Sequence, residues 1–496
     1  MMTELARFRN VVDGKAVESV TNRWLASINP FDAEPWAEVP HCGVDDAEAA
    51  VEAAHRAFVR GPWATMSATA RGKLLRRLGD LITRDAEKLA AIETRDNGKL
   101  HAEMVGQCRY IPEWFHYFGG LADKVEGGVL PMDKADLFSY TKREPLGVVV
   151  AITPWNSPLL LLTWKLAPAL AAGNTVVIKP SEHTSCSTLA LMDLVREAGF
   201  PDGVINTVTG YGHEIGPTLT RHPMVAKIAF TGGDATGAAI YAGAAKGLKH
   251  VTLELGGKSP NIVFADANLD DAVKGAISGI FAASGQTCIA GARLLVQRSV
   301  HDEVSARVVD FARAARLGDP MEATTQVGPV TTLAQREKIL DYMDVARDEG
   351  ARCLLGGGTP DDPGLGKGWF VEPTIFGGVS NSMRIAREEV FGPILSIIPF
   401  EDEDEAIEIA NDTLYGLASG VWTSSIRRAL TMADRIRAGT VWVNTYRAVS
   451  FMAPFGGYKM SGIGRESGQA AIDEYLQTKC VWINLAEGIA NPFVLR

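Results

Sequence analysis

The chain has 496 residues, of which 46% are hydrophobic and 22% are charged. This length is too great for one ordinary core, so we expect two or three lobes of a soluble globular protein. The net charge of -10, with no basic cluster, argues against nucleic-acid or membrane-surface binding. The N-terminus carries charges where a secretory leader is apolar, and the apolar runs are far shorter than the roughly 20 residues that span a bilayer. We therefore expect a cytoplasmic protein.

The cysteines show neither CxxC spacing nor a Cys/His ligand pattern; they are Cys42, Cys108, Cys186, Cys288, Cys353 and Cys480. This scatter predicts reduced thiols and no metal site. An intracellular cysteine is more often a small buried hydrophobe than a nucleophile. A chemical role for any of them therefore needs support from neighbouring residues.

The first part of the chain is predicted to be helical, after a polar region that turns at residues 28–32. Residues 44–60 and 67–98 place apolar side chains at helical spacing, as at Leu74, Leu78 and Leu81. Core packing is the role expected for these side chains.

From about residue 143 the pattern changes to short apolar strands that alternate with helices. Strands are predicted at 147–152, 175–178, 204–208 and 227–231, with helices at 159–172 and 185–198. Such strands indicate a parallel sheet covered on both faces. The fold class is therefore α/β, of a kind that binds dinucleotides. A second α/β series is predicted from 260–264 through 293–296 to 439–444.

Two stretches indicate covalent chemistry. Residues 253–258 place Glu254 in an apolar strand that runs into two glycines, and residues 285–293 place Cys288 among small, flexible residues. A thiolate attacks carbonyl carbon, and a partly buried carboxylate can take a proton from water to release the captured acyl group. The pair predicts a covalent thioester mechanism.

These stretches resemble the catalytic signatures of the aldehyde dehydrogenase superfamily, of the NAD(P)-dependent, non-phosphorylating, hydrolytic type. Further blocks match in the same order from about Asn29 to Asn484. The resemblance implies oxidation of a small-molecule aldehyde to a carboxylic acid. It also implies a Rossmann-like parallel-sheet NAD-binding domain (1–122 and 143–255), an α/β catalytic domain (256–469) and a β-hairpin oligomerisation arm (123–142 and 470–496). A partner subunit would cover the arm's extended edge, so a homodimer or homotetramer is expected.

Lys179 and Glu182 are the clearest cofactor signal in the sequence. They stand three residues apart at a strand end, where an ammonium and a carboxylate can both reach ribose hydroxyls. Glu182 would repel a 2′-phosphate, so NAD is expected over NADP. A solvated charge pair is the alternative, since exposed Lys and Glu are the norm.

A second cofactor block is the glycine-rich strand-to-helix turn at residues 230–237, where backbone can approach a pyrophosphate. It resembles the family's modified dinucleotide fingerprint, with Gly233 in place of the usual serine. By the same resemblance, Glu389 holds the nicotinamide ribose and Phe391 packs beside the ring. The predicted cofactor residues are Ile152, Thr153, Pro154, Trp155, Lys179, Ser181, Glu182, Gly212, Gly216, Phe230, Thr231, Gly232, Gly233, Gly237, Leu255, Gly256, Glu389 and Phe391.

Three further residues are predicted to assist the chemistry. Asn156 follows the first strand of the sheet, and its amide can stabilise an oxyanion, as the matching residue does in the family. In isolation, an asparagine after a strand is more often a turn residue. Lys165 and Glu466 match a family proton path from Glu254 to solvent, with a structural ion pair as the alternative.

The residues expected to line the substrate tunnel, by alignment with the family, are Tyr110, Trp114, Ser157, Trp164, Ile289, Arg447, Val449 and Phe455. An aromatic residue commonly occupies the place of Ser157, so the tunnel is expected to be wider or more polar. Arg447 could hold a carboxylate by paired hydrogen bonds. A polar or anionic semialdehyde, or an aromatic aldehyde, is therefore expected rather than acetaldehyde.

Two other functions remain open at this point. Enzymes that pass the acyl group to coenzyme A resemble this fold but lack a carboxylate at the place of Glu254, so water is the expected acceptor. A catalytically silent binding protein is also conceivable, because fold does not imply function. The presence of Cys288, Glu254 and Asn156 together argues against it.

Overall fold

The structure is a computed structural model that describes residues 5–488 and 491–493. Its helices are α1 (Val44–Arg60), α2 (Pro62–Thr65), α3 (Ala68–Arg84), α4 (Ala86–Asn97), α5 (His101–Tyr110), α6 (Pro112–Leu121), α7 (Pro158–Ala172), α8 (Cys186–Ala198), α9 (Gly212–Arg221), α10 (Asp234–Ala245), α11 (Leu269–Phe281), α12 (His301–Arg313), α13 (Leu333–Asp348), α14 (Arg384–Arg387), α15 (Glu403–Asn411) and α16 (Ile426–Arg435).

The strands are β1 (Ala6–Arg7), β2 (Asn10–Val12), β3 (Lys15–Val17), β4 (Trp24–Asn29), β5 (Glu34–Pro40), β6 (Val129–Leu130), β7 (Leu137–Pro145), β8 (Val148–Ile152), β9 (Thr175–Lys179), β10 (Ile205–Thr207), β11 (Val225–Thr231), β12 (His250–Glu254), β13 (Pro260–Val263), β14 (Arg293–Gln297), β15 (Arg352–Leu355), β16 (Thr374–Gly377), β17 (Ile394–Phe400), β18 (Ala418–Trp422), β19 (Thr440–Val443), β20 (Gly462–Ile463) and β21 (Leu476–Asn484).

The first predicted series forms one sheet in the order β10-β9-β8-β11-β12-β20. Neighbouring strands from β10 to β12 run parallel, which confirms the predicted fold class. The short strand β20 is antiparallel to β12. β20 lies in the segment predicted to belong to the catalytic domain. The first sheet is therefore completed by a strand from near the end of the chain.

Helices cover both faces of this sheet, because alternate strand residues point to opposite sides. Val148, Val150 and Ile152 of β8 pack in a cluster with α1, whereas Val149 and Ala151 pack in a cluster with α7. A fully apolar strand such as β8 has two faces to bury, and here both are buried.

The second series forms a sheet in the order β15-β16-β17-β14-β13-β18-β19. Its strands are parallel except for β15, which is antiparallel to β16 at the edge. On one face, Ile262 and Leu295 pack with side chains of α13; on the other, Val263 and Leu294 pack with those of α11.

A separate sheet in the order β21-β7-β6 occupies the region predicted to be the arm. β7 and β21 pair along their full length, from Leu476 opposite Pro145 to Asn484 opposite Leu137. Val129 and Trp482 leave 70% and 57% of their surfaces exposed. The predicted hairpin and returning strand are thus both present as paired strands.

Within residues 5–488 and 491–493, helices long and apolar enough to cross a membrane are absent.

Candidate active site

The candidate site begins at the carboxyl edge of the first sheet, where β8, β9, β11 and β12 end side by side. The register places Ile152 opposite Lys179 and Thr231 opposite Glu254. In parallel sheets of this kind, ligands bind beyond the carboxyl ends of the strands. All four are among the predicted site residues, and the fold brings them to one edge.

A cavity of about 170 Å³ lies beyond that edge. It is lined by three of the five residues predicted for the chemistry, Cys288, Glu254 and Asn156. The other lining residues are Pro154, Trp155, Leu161, Thr231, Gly232, Gly233, Leu255, Gly256, Gln335, Lys338, Glu389 and Phe391. Segments far apart in the sequence therefore meet around one space.

A left-handed turn carries the chain into the loop that presents Cys288. Ala283, Ser284 and Gly285 have φ angles of 54°, 52° and 71°, which is costly for residues that carry a Cβ. The Glu103 carboxylate holds the turn by accepting a hydrogen bond from the Ala283 N–H at 3.1 Å. The packed surroundings thus fix an unfavourable backbone just before the candidate nucleophile.

The Asn156 side chain is tied to the same loop. Its Nδ2 donates to the Gln286 carbonyl oxygen at 2.8 Å, and the Gln286 side chain accepts from the Thr331 N–H at 3.0 Å. Asn156 is buried. Because an amide nitrogen carries two hydrogens, the second stays available for an oxyanion formed at Cys288.

The Cys288 thiol is held in its neutral form. Burial, followed by the charges of Glu389 and Glu254, raises the pKa of Cys288 to about 12, and hydrogen bonds from the Ile289 and Cys288 N–H groups act in the opposite direction. The thiolate is the attacking species, so the site needs an acceptor for the thiol proton.

Glu254 is one of two carboxylates in the cavity lining that could accept this proton, the other being Glu389. Glu254 is 4% exposed, and neither of its carboxylate oxygens has a hydrogen-bond partner in the described part of the chain. Burial and the charge of Glu466 raise the pKa of Glu254 well above its ordinary value. A carboxylate with a raised pKa is a stronger base than an exposed one, as a proton acceptor in catalysis requires.

Lys165 and Glu466 form an ion pair whose charges act on Glu254. Both side chains are buried, at 0% and 2% exposure. Lys165 Nζ also donates to Thr231 Oγ1 at 2.6 Å. The pair therefore links α7 and the segment after β20 to the end of β11, directly beneath the cavity.

Glu389 and Phe391 lie on a loop that α13 fixes in place. Gln335 Nε2 donates to the Phe391 carbonyl at 3.0 Å, and Lys338 Nζ donates to the Glu389 carbonyl at 3.0 Å. Glu389 Oε1 accepts from the Gly257 N–H at 3.0 Å. Burial raises the pKa of Glu389 to about 7. The loop thus forms part of the cavity wall and is tied to Gly257, just after β12.

The segment after β8 lies along the same edge. The Thr153 N–H donates to the Lys179 carbonyl at 3.2 Å. The Trp155 ring meets the Phe391 ring edge to face at a centroid distance of 5.2 Å. Pro154 and Trp155 line the cavity, whereas Thr153 is buried beneath it.

Lys179 and Glu182 pair with each other. Lys179 Nζ donates to Glu182 at 3.2 Å and to the Pro180 carbonyl at 3.1 Å. Lys179 is buried, Glu182 is partly exposed, and Ser181 lies half-buried between them. The pair therefore stands at the end of β9 with its carboxylate open to solvent.

The fingerprint glycines differ in what surrounds them. A Cβ on Gly232 would lie 2.4 Å from the Phe230 ring, and one on Gly237 would lie 2.5 Å from the Leu255 side chain. A Cβ on Gly233 would have no heavy atom of the described chain within 4 Å. The departure from serine at Gly233 is therefore not forced by packing.

Gly212 and Gly216 stand apart from the cavity, in the first turns of α9. A Cβ at either position would meet no described atom within 4 Å. Packing gives no reason for glycine at these two positions.

Four predicted substrate residues join one aromatic cluster. The Tyr110 ring lies 5.0 Å from Trp114, Trp114 lies 5.9 Å from Trp164, and Trp164 lies 4.9 Å from Phe455. Phe451, which was not predicted, also packs against Trp114, at 6.0 Å. Tyr110 also donates to the Val449 carbonyl at 3.4 Å.

The remaining predicted substrate residues are in polar contacts. Lys99 Nζ donates to the Ser157 hydroxyl at 2.7 Å. Arg447 is half-buried and donates to the Ser278 carbonyl at 3.0 Å. Ser278 lines a second cavity, of about 560 Å³. Ile289 is buried, and its carbonyl accepts from the Tyr446 hydroxyl at 3.0 Å.

Comparison with known proteins decides the family. The family model described as "Aldehyde dehydrogenase family" matches residues 16–481. This chain belongs to the aldehyde dehydrogenase family.

Named relatives of this aldehyde dehydrogenase cover nearly its whole length. It is 46% identical over 495 residues to a (Z)-2-((N-methylformamido)methylene)-5-hydroxybutyrolactone dehydrogenase of Acinetobacter baylyi, covering 99% of this chain and 100% of that one. It is 44% identical to the betaine aldehyde dehydrogenase of Bacillus subtilis, covering 97% and 98%.

A solved structure of betaine aldehyde dehydrogenase from Staphylococcus aureus in complex with NAD+ superposes with a TM-score of 0.97 at 43% identity, covering 98% of this chain and 97% of that one. The predicted α/β aldehyde dehydrogenase-like fold is thereby confirmed.

Sequence reasoning missed several residues that shape the site of this aldehyde dehydrogenase. Glu103, Gln335 and Lys338 lie in helices α5 and α13, where polar residues are usually solvated. Lys99 is 1% exposed, although lysine is rarely buried. It follows Gly98 at the end of α4, where the sequence offers a helix stop but no sign of a partner. Metal-like clusters of three or more His, Cys, Asp or Glu are absent from the described ranges.

Proposed function

We propose that this aldehyde dehydrogenase uses NAD to oxidise an aldehyde to a carboxylic acid, through a thioester on Cys288 that is hydrolysed by water activated by Glu254. The observation that carries the proposal is the convergence of Cys288, Glu254 and Asn156 on one cavity at the carboxyl edge of a parallel sheet. Covalent acyl chemistry needs a nucleophile, a base and an oxyanion donor around one point.

NAD supplies the hydride acceptor when it is bound. Lys179 and Glu182 at the end of β9 would hold its adenosine ribose, and Glu389 its nicotinamide ribose. The fit is supported by two close approaches, since a Cβ on Gly237 would collide with Leu255 and one on Gly256 would lie 2.4 Å from the Glu389 carboxylate. Glycine there keeps helix, strand and loop close together beside the cavity.

The first step is addition of Cys288 sulfur to the aldehyde carbon. The thiol proton leaves as the carbon–sulfur bond forms, and Glu254, from the same cavity lining, receives it. The former carbonyl oxygen becomes an alkoxide, which the free hydrogen of Asn156 Nδ2 stabilises. Asn156 is prepared for this role because its other hydrogen is fixed on the Gln286 carbonyl.

The last step is hydrolysis of the thioester. Before it, Glu254 passes the thiol proton to Lys165 and Glu466, whose buried ion pair lies beside it. Glu254 then takes a proton from water, the water oxygen bonds to the acyl carbon, and the carbon–sulfur bond breaks to release the acid. In this proposal Glu254 returns that proton to the departing sulfur, which restores the neutral thiol and the ionised carboxylate for the next cycle.

We assign the substrate to polar or anionic semialdehydes or aromatic aldehydes. Tyr110 is the partly exposed member of the cluster that includes Trp114, Trp164 and Phe455, and it supports contact with an aromatic or flat substrate. The Arg447 guanidinium donates one hydrogen bond to the Ser278 carbonyl. Its other N–H groups can bind a carboxylate of the substrate. A cationic aldehyde would be repelled by this guanidinium.

We also propose the division into domains predicted above, and a cytoplasmic homodimer or homotetramer joined through the arm. The exposed apolar side chains on that arm, such as Val129 and Trp482, support a covered surface.

The function is tested by NADH formation from benzaldehyde, succinic semialdehyde, propionaldehyde and betaine aldehyde, with NAD or NADP. Cys288→Ser and Glu254→Gln are expected to lose turnover, and NAD is expected to be used in preference to NADP. Turnover that needs coenzyme A would identify an acyl transferase instead. Absence of turnover with every aldehyde, with and without coenzyme A, would favour a binding protein.

A further inference from the structure

A column of polar side chains continues from Glu254 away from the cavity, along β11 and β12. The register pairs Thr231 with Glu254 and Ala229 with Thr252. Paired residues and alternate residues share a face of a sheet, so Thr231, Thr252 and Glu254 lie on the same side as Lys227, four residues before Thr231. Small Ala229 leaves space in the middle of this row.

The column is covered by α7 and by the chain after β20. From α7, Lys165 reaches Thr231 and forms its ion pair with Glu466. From the covering chain, Glu474 reaches the lower end of the row, where its Oε2 lies 3.9 Å from Lys227 Nζ. A buried charge pair and a partly exposed one therefore follow one another along one face of the sheet.

The lower pair connects a buried amine to the surface. Lys227 is 1% exposed, whereas the Glu474 side chain is 33% exposed. Lys227 Nζ also lies 5.0 Å from the Tyr475 ring centroid. Burial lowers the pKa of Lys227 to about 8, so its amine can both accept and release a proton near neutral pH.

The space between the pairs is polar. The hydroxyls of Thr252 and Tyr475 are buried and have no hydrogen-bond partner among residues 5–488 and 491–493. A Cβ on Gly464 would lie 2.7 Å from Thr252 Cγ2 and 3.2 Å from Glu474 Oε1, so glycine keeps this space open. Buried hydroxyls of this kind supply the partners that bridging water requires.

The overall chemistry leaves a proton to be removed. The balanced reaction is RCHO + NAD⁺ + H₂O → RCOOH + NADH + H⁺. The acid carries its own proton, so one proton per cycle stays on Glu254 and the groups beneath it. These groups are buried, and the next cycle requires the base to be restored.

We propose that Lys227 and Glu474 form the outlet through which this proton leaves, passing from Glu254 and the Lys165–Glu466 pair along Thr252 to Lys227, and from there through Glu474 to solvent. The proposal rests on the proposed function of Glu254 as the base. Lys227 and Glu474 act through Glu254 and do not touch the substrate.

The test compares wild type with Glu474→Gln and Lys227→Met, using the aldehyde of the four-member panel that wild type oxidises fastest. NADH formation and proton release to an indicator dye are followed by stopped flow in weak buffer and in concentrated imidazole. The first turnover of NADH should be unchanged. Steady-state turnover in weak buffer should fall about tenfold, a fraction of what a whole general base contributes, and imidazole should restore it in Glu474→Gln.

The control is Asp473→Asn, because the neighbouring Asp473 carboxylate is exposed and pairs with Arg143 instead. It should behave as wild type. Turnover of Glu474→Gln that equals wild type in weak buffer would overturn the proposal, as would a loss that imidazole does not restore. Glu254→Gln separates the two ideas. If that variant turns over normally, the base assignment fails; if it is inactive while Glu474→Gln is normal, only the outlet fails.

Discussion

Replacement of Glu254 by glutamine tests the central feature of the site, a buried carboxyl group that exchanges protons. The glutamine side chain has the same shape as that of glutamate, so it fits into the same space beside Gly456. That space is tight, because a Cβ on Gly456 would lie 2.9 Å from Glu254 Oε1. The glutamine amide cannot accept a proton. We expect Glu254→Gln to slow both the formation of the thioester and its hydrolysis, so that the first turnover of NADH and the steady state both fall.

Two magnitudes follow from the burial of Glu254. Loss of a general base typically slows a step by about 10²- to 10⁴-fold, and here thioester formation and thioester hydrolysis both use the base. The substitution should slow the reaction but make the folded variant more stable, relative to wild type, as the pH rises. The pKa of Glu254 is raised on folding above an unfolded value of about 4.3, so the native state holds a proton that the unfolded state releases. Wild type therefore loses about 1.4 kcal/mol of stability per pH unit between those two pKa values, relative to the variant.

The assays are transient kinetics at 340 nm and thermal unfolding from pH 5 to pH 8. The melting temperature of Glu254→Gln minus that of wild type should increase as the pH rises. Asp473→Asn, in an exposed position, should show no such trend. A constant difference across the pH range would refute the raised pKa, and normal deacylation would refute the role as base.

Three other substitutions test the surroundings of the thiol. Asn156→Ala should lower kcat about 10²- to 10³-fold with unchanged circular dichroism, because an oxyanion donor is lost; equal kcat would contradict that role. Gly285→Ala would place a Cβ 2.1 Å from the Gly392 carbonyl oxygen at a φ of 71°, so activity and melting temperature should both fall; a normal melting temperature would contradict the strain argument. Arg447→Ala should lower kcat/KM for succinic semialdehyde but not for propionaldehyde; an equal change for both would exclude carboxylate binding.

The parts of the site that could be predicted are those fixed by strand endings. Lys179, Thr231 and Glu254 each end an apolar run, and parallel strands must bring their carboxyl ends to one edge. The register confirms this expectation. Such residues can be found from local pattern because sheet geometry leaves their placement little freedom.

The parts that were missed depend on contacts between distant segments. Glu103 holds the Ala283 turn from 180 residues away, and Lys338 holds the Glu389 loop from α13. From the sequence alone, both residues are expected to be solvent-exposed charged side chains on helices. β20 was missed for the same reason, because a two-residue strand can be recognised only from its pairing with β12.

The distance between the Cys288 thiol and the Glu254 carboxylate depends on how the two large sheets are packed together; we call their junction the seam. Glu254 ends β12 in the first sheet, and Cys288 precedes β14 in the second. Ser461 spans the seam: its hydroxyl donates to the Gly256 carbonyl at 2.7 Å and accepts from the Gly416 N–H at 2.9 Å. The reactive geometry therefore follows from how the lobes are joined just after Glu254. Motifs in either lobe identify the chemical groups, but their separation is a property of the packed seam.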